Sequence, residues 1–168
     1  MATRSTIGVL NSDGSVTGVY CHWDGYPEHN GALLLENYTT EAKVRELIEL
    51  GSISSLGRQI GEKHPFSKFE DDKGEHPLVG AAKEARIELA EQEGWTTFYG
   101  RDRGEPDVNA TTFGNVEEFV NEFGEEYNYL FINGTWFVND HGACEQATGT
   151  PVFDMVEVVL EARTEEVE

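Results

Sequence analysis

Positive charge is what this chain has least of: 12 Lys and Arg stand against 32 Asp and Glu, for a formal net charge of −20. Such a field repels nucleic acid and excludes a binder that works by neutralising phosphates. Cysteine is almost as scarce. Cys21 and Cys144 are the only two, which excludes a disulfide framework and makes free thiols in a reducing compartment the expectation. Long hydrophobic runs are missing too. The first apolar stretch, Ile7 to Leu10, is broken by Gly8 and ends at Asn11, too short for a leader or a membrane span. A soluble, cytoplasmic protein is expected. Familiar catalytic motifs are also absent: there is no Gly-x-Ser-x-Gly elbow and no His-Glu-x-x-His, and Gly100 to Gly104 lacks the Lys-Ser/Thr of a phosphate loop. No cofactor is implied.

What is present is acid, unevenly placed. After Arg103 the remaining 65 residues carry 15 carboxylates and one cation, Arg163, a net of −14. Adaptation to high salt is a plain source of acidity, but here the acids are 24 Glu and 8 Asp gathered toward the C-terminal third. A concentrated negative field attracts a basic surface, such as the groove of a nucleic-acid-binding enzyme, with fast and salt-sensitive association.

The spacing of apolar residues predicts a single α+β domain over residues 1–163, with a frayed acidic tail at 164–168. Ser5 to Leu10 and Ser15 to His22 are β-prone runs around Asp13-Gly14, and Tyr127 to Ile132 and Thr135 to Asn139 flank Asn133-Gly134; both pairs are hairpin signals. Trp95 to Tyr99 and Val152 to Leu160 read as further strands. Helices are predicted for Glu41 to Leu50, Leu78 to Glu93 and Val116 to Phe123, each stopped by a glycine, with Pro27 to Tyr38 a fourth candidate. The expected architecture is a mainly antiparallel sheet with three to four helices packed on it. Gly61 to Gly74 reads as a long surface loop.

Two short stretches concentrate chemistry. In Tyr20-Cys21-His22-Trp23-Asp24-Gly25-Tyr26-Pro27, His22 and Asp24 would share a face if the strand continued, which suits a general base oriented by a carboxylate, with Trp23 or Tyr26 as a stacking wall. The plainer reading makes Asp24-Gly25 a turn, Pro27 a helix start, and the aromatics corner anchors. In Phe98-Tyr99-Gly100-Arg101-Asp102-Arg103-Gly104-Glu105, the two arginines suit a bidentate clamp on phosphate or carboxylate, or pairing with the protein's own acids. Together His22, Trp23, Asp24, Tyr26, Tyr99, Arg101 and Arg103 form a candidate pocket for a nucleotide-like ligand. Cys21, His22, His141 and Cys144 are residue types that zinc accepts, but their spacing fits no familiar finger, so no metal is expected. A Cys21–His141 catalytic pair is a further speculation.

The motifs "TRSTIGVLNSDGSVTGVYCHWDGYPEHNG", "LIELGSISSLG" followed by "GEKHP", "FYGRDRGE" and "EYNYLFINGTWFV" resemble an uncharacterised family of small proteins found in bacteriophages and bacteria. The resemblance covers most of the chain. It implies a cytoplasmic accessory product of phage type and transfers no activity. The helical pattern of Leu78 to Glu93 and the acidic C-terminal extension depart from it. The leading expectation is therefore a protein that inhibits a host factor, in counter-defence or host takeover, through an acidic surface that mimics nucleic acid. Its candidate residues are Glu117, Glu118, Glu122, Glu125 and Glu126 around one predicted helix, with Glu157, Glu161, Glu165 and Glu166 beyond. An ordinary solvated helix face would look the same. The rivals are a ligand-binding protein or enzyme and a structural module.

Overall fold

A computed structural model of the chain describes residues 3–64, 80–123, 125–140 and 156–157. They form an α+β fold on one mixed sheet. Its strands are β1 (Ser5–Leu10), β2 (Val16–Cys21), β3 (Ile53–Ser55), β4 (Thr97–Phe98), β5 (Thr111–Phe113), β6 (Tyr127–Ile132), β7 (Thr135–Asp140) and β8 (Val156–Glu157). The order is β4-β3-β2-β1-β6-β7-β8, with β5 sharing the β3 edge of β2. Both expected hairpins form. Asn133 (φ 47°) and Gly134 (φ 86°) take the two positive φ values of a type I′ turn, whose twist matches the flanking strands. The sheet is mainly antiparallel, but β1 runs parallel to β6, and β2 parallel to β3.

Side-chain alternation along the strands sends two sets of residues to opposite faces. One face carries Ile7, Val9, Val19, Cys21, Ile53, Phe98, Tyr129 and Phe131. It is covered by a π-helical turn, Pro27–Gly31, that runs into α1 (Ala32–Asn37), and by α2 (Glu41–Glu49). Helix α2 begins where the Thr40 side chain accepts the Lys43 N–H at 3.3 Å, and buries Val44, Leu47 and Ile48 at helical spacing. Trp136 and Tyr38 are buried here with their polar ends satisfied: the indole N–H donates to Tyr38 O at 2.8 Å, and the phenol to Gly57 O at 2.7 Å.

The opposite face is covered by α5 (Val116–Glu118), which continues as a second π-helical turn, Phe119–Phe123. Phe119 and Val120 pack on Val16 and Leu130. The ring of Phe119 lies on the cross-strand pair Gly8 and Gly18; a Cβ at Gly18 would sit 2.5 Å from its Cε1 and one at Gly8 2.9 Å from its Cζ. The missing side chains make the seat for the ring.

Three elements differ from the sequence expectation. β3 and β5 were not signalled, being three residues each with no alternation to read. The run Trp95 to Tyr99 is a strand only at Thr97–Phe98, because Tyr99 opens α4 (Tyr99–Arg103). Helix α3 (Gly80–Glu93) is present, and no helix among the described residues is long and apolar enough to cross a membrane. Residues 65–74 of the predicted loop, the predicted strand Val152 to Leu160 apart from Val156–Glu157, the tail 164–168, His141, Cys144, Glu161, Glu165 and Glu166 lie outside the described residues. Glu157 is described only as a backbone position in β8.

Candidate functional site

The sheet register brings the two chemical stretches together. Cys21 lies opposite Ile53, and Ile53 opposite Phe98, so the ends of β2, β3 and β4 line up. These three side chains enter the α1/α2 core, and their neighbours take the other face. Tyr20 and His22 stand there, and beyond them Ser54 and Tyr99. His22 Nδ1 is 2.6 Å from the Tyr20 hydroxyl, and its ring meets Trp23 edge-on at 4.7 Å. Burial pushes the Tyr20 phenol up, and does the same to Tyr99, opposed there by a hydrogen bond with Ser54.

His22 and Asp24 are not brought into partnership. The strand ends at Cys21, and Asp24 has φ 56°, so the alternation that would align the two stops between them. Asp24 instead accepts from the Tyr26 hydroxyl at 3.5 Å, and its charge raises the Tyr26 pKa. Pro27 starts the π-helical turn, as the turn reading expects, and this turn carries Asn30 inward. The Asn30 amide reaches Cys21 Sγ at 3.4 Å, Ser5 Oγ at 3.4 Å and Trp23 O at 3.3 Å. Cys21 is fully buried, and desolvation pushes its thiol up to about 11. A protonated, enclosed thiol on the face opposite His22 is not a nucleophile. Trp23 is 43% exposed and therefore anchors little.

The arginines of the second stretch are turned inward. Arg101 Nε and Nη2 meet the Asp102 carboxylate at 3.0 and 3.1 Å; Nη1 donates to Ile60 O and Gly61 O at 3.0 and 3.1 Å, and Nη2 also to Thr96 O at 2.9 Å. All five guanidinium protons are thus used by the protein itself. Asp102, fully buried, also accepts the backbone N–H groups of His64 and Phe98 at 3.1 and 2.7 Å. Arg103 pairs with Glu105 at 3.4 Å. Between the two uses weighed for these arginines, an anion clamp and internal pairing, the geometry is that of internal pairing.

This cluster includes a residue the sequence offered only as part of a loop. His64 is buried; its Nδ1 donates to Glu62 O at 2.8 Å, and its Nε2 shares a hydrogen bond with Thr97 Oγ1 at 3.2 Å. The Asp102 carboxylate lies 3.6 Å from Nδ1. The one available signal was a lone Asp between two arginines directly after a strand. Such an acid can be drawn into the protein because its neutralising partners travel with it.

The acidic surface is a different kind of arrangement. Glu117, Glu122 and Glu126 are exposed and Glu125 is half-buried. Glu118 is spent locally: Asn115 Oδ1 accepts its N–H at 2.8 Å while its own carboxylate accepts the Gly114 N–H at 2.7 Å, a reciprocal cap of the helix start. Glu118, Glu122 and Glu125 do not share one regular helix, because the segment widens to π geometry at Phe119 and the π turn ends at Phe123. Among the described residues, no group of three or more His, Cys, Asp or Glu side chains is placed to hold a metal ion.

No protein-family model matches this chain, and neither a curated protein nor a solved structure matches it.

Proposed function

We propose that this chain is an accessory protein of phage type that binds and inhibits a host factor, docking the acidic outer side of the α5 segment on a basic protein surface. The observation that carries the reading is the division of that segment. Phe119 and Val120 are locked into the sheet, while Glu117, Glu122 and Glu126 stand in solvent. The carboxylates thus project from a fixed support, which suits electrostatic docking. Four of the cations do little to offset them, since Arg45, Arg86, Arg101 and Arg103 are each paired with a neighbouring carboxylate. A cytoplasmic location and a counter-defence role follow from the resemblance and belong to the same proposal.

The test is capture of host proteins by the tagged chain at moderate and then high salt, beside a Glu117→Gln, Glu122→Gln, Glu126→Gln variant. Glu118 is kept because its loss would uncap the helix. A specific partner whose own activity is inhibited, and whose binding weakens with salt in the parent and less steeply in the variant, is the expected result. Equal capture with an equal salt slope overturns docking by this surface.

The alternative of a nucleotide-like ligand retains one favourable observation, the grouping of Tyr20, His22 and Tyr99 at adjoining strand ends. It loses Arg101 as a clamp. A thermal shift with nucleotides that His22→Ala abolishes would revive it.

A further inference from the structure

Beneath α2, on the sheet face opposite α5, lies a cavity of about 390 Å³ that neither reading uses. The apolar part of its wall is made by Val9, Ile48 and Ala110, of which Val9 and Ile48 are buried, and Thr17 and Asn109 add polar groups beside them. Its outer wall carries Arg45 and Glu49, one helical turn apart. The volume lies within the range of small-ligand sites, which commonly join an apolar lining to a few polar groups.

The charges at this opening are unequal. Arg45 Nε pairs with Glu41 at 2.8 Å, and Nη1 donates to Asn11 Oδ1 at 2.9 Å. The guanidinium is therefore turned toward Glu41 and Asn11, and Glu49 makes no ion pair with it. Glu41 stands outside the lining and takes up the Arg45 charge, which leaves the Glu49 carboxylate uncompensated beside the apolar residues. A ligand that satisfies both has an aliphatic stem and a positive head, the combination by which lysine and arginine cover apolar surface while keeping their charge in water.

We infer that this cavity binds an alkylammonium or alkylguanidinium group, with the stem on Val9, Ile48 and Ala110 and the head at Glu49. The group can come from a free polyamine or from a lysine or arginine side chain of a protein. The site is on the other side of the sheet from α5, so it stands apart from the proposed docking surface.

Titration of the full chain with cadaverine, agmatine, Nα-acetyl-lysine methylamide and valerate, followed by amide shifts of Thr17 and Ala110, tests this. Saturable binding of the cations is expected, weakened about tenfold or more in Glu49→Gln, as loss of a charge-assisted contact implies. Arg45→Gln should leave cation binding intact or tighten it. Cadaverine binding ahead of the lysine derivative names a free polyamine as the source, and the reverse order names a protein side chain. The proposal is overturned by the absence of saturable cation binding, by equal binding to Glu49→Gln, or by valerate binding that Arg45→Gln removes.

Discussion

Asp102 and Glu122 carry the same charged group in opposite settings. Asp102 is fully buried and its two oxygens take Arg101, His64 and Phe98 donors; Glu122 stands in solvent on the outer side of the second π-helical turn. The contrast teaches how a chain with so many acids stays folded. A carboxylate removed from water must meet a partner for nearly every lone pair, whereas an exposed one costs little and remains open to another molecule. The candidate clamp was thus consumed by the fold, and the charge left for partners lies elsewhere.

The largest test of this contrast is Asp102→Ala beside Glu122→Gln. Removing Asp102 leaves Arg101, 14% exposed, facing no counter-charge, and breaking a buried pair costs about 3–5 kcal/mol. Glu122→Gln should change stability by no more than about 0.5 kcal/mol. Urea unfolding of the two variants checks both, and equal stability would contradict the division. Next in size is Gly18→Ala, which pushes a methyl group into the Phe119 ring. Overpacking of this kind costs about 1–3 kcal/mol. Because it disturbs the support of the acidic segment and not its charge, stability should fall while the net charge seen by a partner is unchanged.

The smallest effect sharpens the comparison with a third buried group. Cys21 has no cation beside it, so burial outweighs the opposing hydrogen bonds from Asn30 and Ser5, and its pKa rises from 9.0 to about 11. The thiol of the unfolded chain ionises first as pH climbs. Stability contributed by keeping it neutral is present below pH 9.0 and is lost as pH rises toward about 11. Denaturant midpoints measured from pH 8 to 11 should fall, and less steeply in Cys21→Ala. Tyr38, pushed up to about 12 by burial, adds to the fall at the upper end and should remain in that variant.

Much of the fold was legible because its signals are local. Asn133-Gly134 names its turn type, and Gly51 marks the end of the helix predicted for Glu41 to Leu50. The parallel pairing of β1 with β6 was not legible, since no residue in either strand specifies a neighbour so far along the chain. The site was less legible than the fold. His22 and Asp24 looked aligned only while the strand was assumed to continue past Cys21. Pairing of Arg101 with the protein's own acids was legible from the charge excess, but nothing local indicates that Ile60, Gly61 and Thr96 present their carbonyls to it. Gly8 read only as a break in an apolar stretch, and its purpose depends on a ring more than a hundred positions later.

The pairing of β1 with β6 also sets a schedule. Thr6 bonds Asn128 at 2.7 Å across 122 positions, so this central seam closes only when residue 128 exists and has left the ribosome. At about 5–20 residues per second, synthesis keeps the first hairpin, complete at Cys21, waiting for roughly 5–21 s. During that interval Ile7 and Val9 lack β6 beside them, and the edge of β1 is open to pairing with another chain. Closing so long a loop is also a slow step by topology. Refolding in vitro should accordingly be slower than for a helical protein of equal length.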